Sequence, residues 1–123
     1  MDIQSRADID QIVRSFYDKL LADELMRPIF TEAVKLDFEA HFSILVDFWD
    51  NILFYSGAYT RNAMMPHLHL HKIYPLKKEH FDQWLKLFNL SVDEGFEGEK
   101  ASLAKERAFS IATIMQIKVN QMG

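Results

Sequence analysis

The chain has 123 residues, of which 49% are hydrophobic and 13% aromatic, and its formal net charge is −4. This composition excludes a disordered chain, and the lack of any cysteine excludes disulfides, thiolate nucleophiles, cysteine-ligated zinc, iron–sulfur clusters and covalently attached haem. Mild acidity gives no reason to expect nucleic acid, and neither a signal peptide nor an apolar run of the ~20 residues needed to span a membrane is visible, so we expect one cytoplasmic domain over residues 1–123.

Two stripes of apolar residues at helical spacing occupy the first half of the chain. The first covers residues 9–21, with Asp8 as its expected N-cap, and should end before Pro28. The second covers residues 38–53 and should close near Gly57. Both predict amphipathic helices that bury one face.

The second half repeats the pattern. One stripe covers residues 81–92 and ends near Gly95, and the last runs over residues 99–119. Between the halves, Pro66 favours the start of a short helix. Because no alternating stretch is flanked by hairpin turns, the sequence predicts an all-α fold with four long helices and one short helix.

Histidines are the main candidates for chemistry, since imidazole is the commonest metal ligand and titrates near neutrality. His41 lies on an apolar stripe, where it is either a hydrogen-bonded core residue or a polar group aimed into an apolar pocket. If residues 67–71 were extended, their three histidines would share one face and would suit tetrahedral zinc. If those residues are helical, one histidine could be a single axial ligand; a solvated loop is the third possibility. The five histidines are His41, His67, His69, His71 and His80.

Two further aromatic residues carry polar atoms on apolar stripes. Tyr17 follows Phe16 on the first predicted helix, and Trp84 lies on the third. A buried tyrosine hydroxyl or indole N–H needs a partner, which either the protein or a bound ligand supplies. The high aromatic content is compatible with a flat conjugated ligand, although on composition alone simple core filling is the commoner explanation.

Short stretches along nearly the whole chain, in order and with matching spacing, resemble the group III truncated haemoglobins. The chain also lacks the paired glycines that groups I and II usually carry. The matching stretches are Ser15–Leu20, Pro28–Phe30, His41 to Trp49, Tyr59 to His67, His80–Phe88, Val92–Asp93, Phe96–Gly98 and Arg107–Met115.

This resemblance implies a truncated, two-over-two helical globin sandwich that encloses a non-covalent haem b. By position in the family pattern, His67 would be the proximal iron ligand. Tyr17 and Trp84 would be hydrogen-bond donors on the distal side, with His41 as a gate. The apolar walls of the haem pocket would be Leu45, Phe48 and Phe81.

One departure from the family pattern concerns the proximal ligand. The spacing from His67 to the Trp84 stretch is a few residues longer than the pattern, so His69 and His71 remain alternatives. We prefer His67 because its spacing from Tyr59 matches.

The function implied by the resemblance is reversible binding of O₂, and of NO and CO, at ferrous iron, as in an oxygen carrier. A polar distal pocket that retains O₂ would favour NO dioxygenation or peroxidase-like detoxification instead. Such turnover would need an external reductase, because the chain has no flavin or nicotinamide motif. Two functions of other classes are a cofactor-free helical interaction module and a zinc-binding bundle.

Overall fold

The computed structural model describes residues 1–33, 37–57, 59 and 64–122, and none of these lies in a strand. This confirms the all-α prediction, although the π-helical turn between the first two helices was not expected. The elements are α1 (Arg6–Ala22), the π-helical turn (Ile29–Ala33), α2 (Phe38–Phe54), α3 (Met64–Ile73), α4 (Lys78–Asp93) and α5 (Glu99–Gln121).

Helix α1 begins earlier than the sequence suggested. Its N-cap is Ser5, whose Oγ accepts a hydrogen bond from the Asp8 backbone N–H at 3.3 Å. Asp8 lies in the first turn, where a carboxylate is stabilised by the helix dipole. The prediction of Asp8 as N-cap was therefore wrong, because a serine three residues upstream offers the same kind of acceptor.

The predicted apolar stripes form the core. Helix α1 packs against α2 and α4, while α5 packs against α2, α3 and α4. Fully buried side chains come from each of the four long helices, as amphipathic helices require. Within the described ranges, no helix combines the length and the apolar character needed to cross a membrane. The least exposed large side chains include Ile9, Leu20, Leu53, Val92 and Val119.

Helix α5 presents a stripe of small residues to the core. Ala101, Ala104, Ala108 and Ala112 are each at most 3% exposed, and they lie on one face of the helix. Small side chains let helix axes approach closely. The alanine stripe therefore brings α5 close to the helices on which it packs.

The N-terminal segment is tied to the start of α5. The Asp2 carboxylate accepts hydrogen bonds from the backbone N–H groups of Lys100 at 2.8 Å and Ala101 at 2.9 Å. The N-cap of α5 is Gly98, which has no side chain to serve these N–H groups. Asp2 thus caps α5 from a distant part of the chain.

Lys100 joins the start of α5 to the end of α2. Its Nζ donates to the Leu53 carbonyl at 2.6 Å and lies 5.4 Å from the Phe54 ring centroid. The C-cap of α2 is Tyr55, in the left-handed region with φ of 55°. A cation at a helix C-terminus is stabilised by the helix dipole, so this contact fixes the two helix ends together.

Candidate functional site

The centre of the candidate site is a hydrogen-bonded pair between α1 and α2. Tyr17 Oη and His41 Nε2 are 2.6 Å apart, and the two rings meet edge to face at 5.3 Å. Tyr17 is buried near the middle of α1, whereas His41 is half-buried in the first turns of α2. The structure thus brings together two of the residues predicted for a distal site.

The electrostatics of this pair keep both side chains neutral near pH 7. Burial raises the pKa of the Tyr17 hydroxyl well above its ordinary value. Burial, and then the nearby charge of His67, lower the pKa of His41. Neutral imidazole can either donate or accept at Nε2, so the direction of the hydrogen bond depends on the His41 tautomer.

A cage of phenylalanine rings surrounds Tyr17. Phe30, Phe38 and Phe42 meet its ring at centroid distances of 5.5, 6.2 and 5.2 Å. Sequence reasoning missed these three residues as parts of the site. Phe38 could have been found, because it lies three residues before His41 on the same face of α2, and Phe42 follows Phe38 by four residues; Phe30 lies in the unexpected π-helical turn.

An ion pair holds α1 against the first turn of α2 beside this site. Both Nη atoms of Arg14 donate to the Glu39 carboxylate, at 2.9 and 2.8 Å, and the guanidinium lies 5.1 Å from the centroid of Phe42. The hydrogen bonds from Arg14 lower the pKa of Glu39. Both groups are largely exposed, so the pair contributes little to stability, but its bidentate geometry fixes how the two helices meet.

Trp84 belongs to a stack of aromatic rings beside Tyr17. Its ring is nearly parallel to Phe88, at 5.8 Å and 10°, and Phe88 stacks in turn on Trp49 at 4.9 Å and 21°. The edge of Phe16 meets both Trp84 and Phe88. Since Phe16 precedes Tyr17 on α1, the stack places Trp84 next to the Tyr17 segment.

The three predicted pocket walls lie on α2 and α4. Phe48 is half-buried, and its ring meets that of Tyr59 at 5.0 Å. Leu45 is also half-buried, whereas Phe81 is a core residue with 8% exposure. The role of these three residues as walls of a haem pocket stays a prediction.

The histidines of α3 have different surroundings. Because residues 64–73 are helical, the extended arrangement that would suit zinc is excluded. Among the described residues, no group of three or more potential ligands could hold a metal ion. His67 and His69 are exposed, whereas the Nδ1 atom of His71 accepts a hydrogen bond from the Leu76 backbone N–H at 2.9 Å. The ring of His71 therefore stabilises the turn that follows α3.

His80, the fifth histidine, caps α4. Its Nδ1 atom accepts a hydrogen bond from the Lys77 backbone N–H at 2.9 Å, and its ring meets the edge of Tyr74. The side chain is buried, and burial lowers its pKa. His80 is thus a structural residue outside the candidate site.

Comparison with known proteins gave consistent results over the whole chain. The family model described as bacterial-like globin matches residues 2–120. The chain is 28% identical to the group 3 truncated haemoglobin of Campylobacter jejuni subsp. jejuni over 122 residues, which cover 97% of this chain and 94% of that protein. The crystal structure of group III truncated haemoglobin from Campylobacter jejuni matches with a TM-score of 0.83 and 26% identity, covering 100% of this chain and 98% of the other.

Proposed function

The chain belongs to the bacterial-like globin family, and we propose that it holds haem b non-covalently and binds O₂, NO and CO at ferrous iron. The predicted resemblance to group III truncated haemoglobins, and with it the truncated globin fold, is confirmed. Globin membership implies haem binding in general. The type of haem, its ligands and the residue roles below are the proposal.

The residues of the site fit a flat, mostly apolar macrocycle. Phe48 and Trp84 pack against the core yet keep part of their surface uncovered, as does Leu45. Covering apolar surface contributes about 25 cal/mol per Å². The Tyr17–His41 pair and the imidazole of His67 supply polar groups, so the chain carries both kinds of group that a haem pocket needs.

His67 is the best proximal ligand among the histidines of α3. Its charge lowers the pKa of His41, so the two imidazoles lie within electrostatic range of each other. His69 follows by two residues and projects from nearly the opposite side of the helix. His71 uses its Nδ1 atom to bond the Leu76 backbone. This pattern supports His67 on one side of the haem and the Tyr17–His41 pair on the other.

The distal residues would act as hydrogen-bond donors. When bound, ferrous haem supplies an open coordination position and shifts negative charge onto a diatomic ligand. Tyr17 can donate its hydroxyl proton to that ligand when His41 donates its own Nε2–H to Tyr17, at the observed 2.6 Å. A donor to a charged acceptor contributes about 1.5–3 kcal/mol, and 1.4 kcal/mol is tenfold in affinity.

The Tyr17–His41 hydrogen bond is the observation that carries the proposal, and it also favours a second function. A buried donor pair slows the escape of O₂, which suits a protein that reacts with its bound ligand more than one that delivers it. NO dioxygenation or peroxidase-like detoxification is therefore the second candidate. Either reaction would use an external reductase and would place the protein in the cytoplasm, where such donors occur.

Reconstitution with hemin tests the proposal. We expect the purified protein to take up one haem with a strong Soret band. His67→Gly should lose the wild-type spectrum and regain it with added imidazole, because free imidazole can replace the missing ligand. The matched controls His69→Gly and His71→Gly should keep the wild-type spectrum.

Each alternative predicts a different outcome of that experiment. A colourless, folded protein that takes up no hemin would favour an interaction module, and stoichiometric zinc without a Soret band would favour a zinc bundle. If His69→Gly or His71→Gly loses the wild-type spectrum while His67→Gly keeps it, the proximal ligand is that other histidine. The proposal of haem binding would still stand.

A further inference from the structure

The acidic residues of this chain are unevenly distributed. Residues 51–78 and 107–123 contain none of the 18 Asp and Glu residues but six of the 14 Lys and Arg residues. These two acid-free segments thus carry a formal charge of +6, against −10 for the rest of the chain. In a protein of net charge −4, this separation predicts a positive region on an otherwise negative surface.

The fold brings the two acid-free segments together. Helix α3, in the first segment, packs against α5, whose second half lies in the other. Helices α4 and α5 pack together and are joined by only five residues, 94–98, so they run antiparallel. The Lys105–Asp93 ion pair lies near that connection. The first turn of α4 therefore lies level with the last turns of α5.

This region exposes both apolar and positively charged side chains. The exposed fraction is 69% for Ile73 and 51% for Ile117, so at least half of each side chain stays uncovered by the rest of the protein. The lysines near them in sequence are also exposed. We define the basic face as Lys72, Ile73, Lys77, Ile117 and Lys118; the neighbouring Lys78 is left out because its Nζ pairs with the Asp82 carboxylate at 2.7 Å.

We propose that the basic face docks a small acidic protein that donates electrons, such as a flavin-containing protein. The charge pattern complements an acidic surface, and the exposed isoleucines supply apolar contact area. A compact partner fits best, because an extended polyanion such as nucleic acid would reach the negative remainder of the molecule. This inference rests on the proposed haem function.

The position of the basic face explains why the partner would be a redox protein. Helix α3 carries both Lys72 on this face and His67, the proposed iron ligand. A donor docked there is close to the proximal side of the haem. One electron would pass from the reduced flavin to ferric iron, so the flavin is oxidised and the iron reduced, and no atom moves between the proteins.

A charge-reversal experiment on the haem-loaded ferric protein tests the docking site. The probe is purified flavodoxin, a small acidic protein that carries flavin mononucleotide. Its dissociation constant is measured by calorimetry with the oxidised form, and the rate of iron reduction by stopped flow with the photoreduced form. The face variant is Lys77→Glu with Lys118→Glu, one residue from each acid-free segment.

The matched control is Arg27→Glu with Lys86→Glu, which changes the net charge equally at exposed residues outside the acid-free segments. We expect the face variant to weaken binding and slow reduction about tenfold or more at low ionic strength, and the control by about twofold. Raising the salt to about 0.3 M should remove most of the difference, since exposed charges are screened.

Three outcomes would overturn the docking proposal. Flavodoxin does not bind, or the two variants weaken binding equally, or the protein binds vesicles of phosphatidylglycerol in preference to flavodoxin. Dithionite, a small reductant that needs no docking, should reduce all variants at the same rate. An intact Soret band in all variants separates failure of the docking site from failure of the proposed haem function.

Discussion

The hydroxyl of Tyr17 carries a single proton, and the hydrogen bond to His41 determines where that proton points. If His41 holds its proton on Nε2, it donates to the Tyr17 oxygen, and the tyrosine can donate elsewhere. If Nε2 is bare, Tyr17 donates to His41 and cannot serve a bound ligand. The tautomer of a half-buried histidine thus controls the donor strength of a buried tyrosine.

Replacing Tyr17 with Phe removes this donor without changing the shape of the phenylalanine cage. We expect O₂ to dissociate on the order of tenfold or more faster, because one charge-assisted hydrogen bond is lost, while haem content stays unchanged. Stopped-flow displacement of O₂ by CO measures the rate. Tyr55→Phe, at an exposed tyrosine, is the matched control, and an unaltered dissociation rate in Tyr17→Phe would remove Tyr17 from this role.

His80 makes the stability of the fold depend on pH. Its pKa is lowered in the folded protein, so the unfolded chain takes up the proton first, and stability falls as the pH drops below about 6.5. Protonation also abolishes the acceptor that caps Lys77. The unfolding free energy from urea titrations at pH 8 and pH 5 should therefore decrease toward pH 5.

His80→Gln should reduce that dependence, and part of it should remain because burial also lowers the pKa of His41. Glutamine is a usual capping-box residue at this position of a helix and can accept from the same N–H without titrating. In His80→Ala, the unfolding free energy at pH 8 should instead be about 1 kcal/mol lower than in the wild type. His69→Gln, at an exposed residue of α3, should retain the wild-type slope; a slope in His80→Gln as steep as in the wild type would assign the effect to another group.

Individual contacts were predictable only where the resemblance supplied them. Tyr17 and His41 were placed together by family pattern, and the structure joins them. The Arg14–Glu39 pair was not predicted, since nothing in either sequence neighbourhood indicates that these two turns meet. The role of His80 was not predicted either, because nothing in the sequence around it indicates which backbone group its ring accepts a hydrogen bond from.

The local sequence predicts which face of each long helix is buried. It does not predict a helix cap that comes from a residue far away in the chain. The apolar stripes of α1, α2, α4 and α5 face the core as their spacing predicts, with some residues fully buried and the others partly covered. The cap of α5, in contrast, comes from Asp2. Burial alone would raise the pKa of Asp2, but the N–H groups of Lys100 and Ala101 outweigh this and lower it. Local pattern carries no information about a partner almost a whole chain length away.

Gly98→Ala should disrupt this cap. The residue has φ of 134°, and an added Cβ would lie 2.7 Å from Asp2 Cγ, so the substitution combines backbone strain with a clash. We expect a loss of about 2–3 kcal/mol in the unfolding free energy, measured by chemical denaturation. Gly57→Ala, with φ of 73° and no atom within 4 Å of the added Cβ, should cost about 1 kcal/mol.

Gly98→Ala and Gly57→Ala both introduce backbone strain, but only Gly98→Ala also clashes with Asp2. Comparing their unfolding free energies therefore separates the two effects. If both variants lose the same stability, the Asp2 contact contributes nothing at Gly98. Asp2→Gly in the Gly98→Ala background removes all the clashing side-chain atoms, including Cβ, and should lose less stability than the sum of the two single substitutions.

For the whole molecule, the sequence predicted the fold but not the positive region of the surface. The periodicity of the chain gives the helices, and the order of the family motifs gives their arrangement, confirmed by the structural match. The net charge of −4 is a sum over the whole chain, so it does not reveal the two acid-free segments. Their proximity depends on α3 packing against α5, which no local pattern predicts.

Removing haem should lower the stability of the whole molecule. A ligand at about 1,000 times its dissociation constant stabilises the folded state by about 4 kcal/mol. In a chain of this size, that corresponds to a fall in Tm on the order of 10 °C or more for the apoprotein. Differential scanning calorimetry of both forms measures it, and equal Tm values would contradict a haem that depends on the native fold for its binding.

The alanine stripe of α5 limits how this protein can change over time. At Ala101, Ala104, Ala108 and Ala112, any larger side chain must push the helix away from its neighbours, and glycine lowers helix stability by about 1 kcal/mol. Both larger residues and glycine are therefore destabilising at these positions. Mutations that persist in α5 will accumulate on its outward-facing positions. New surface properties can therefore evolve on this helix while its inner side stays constant.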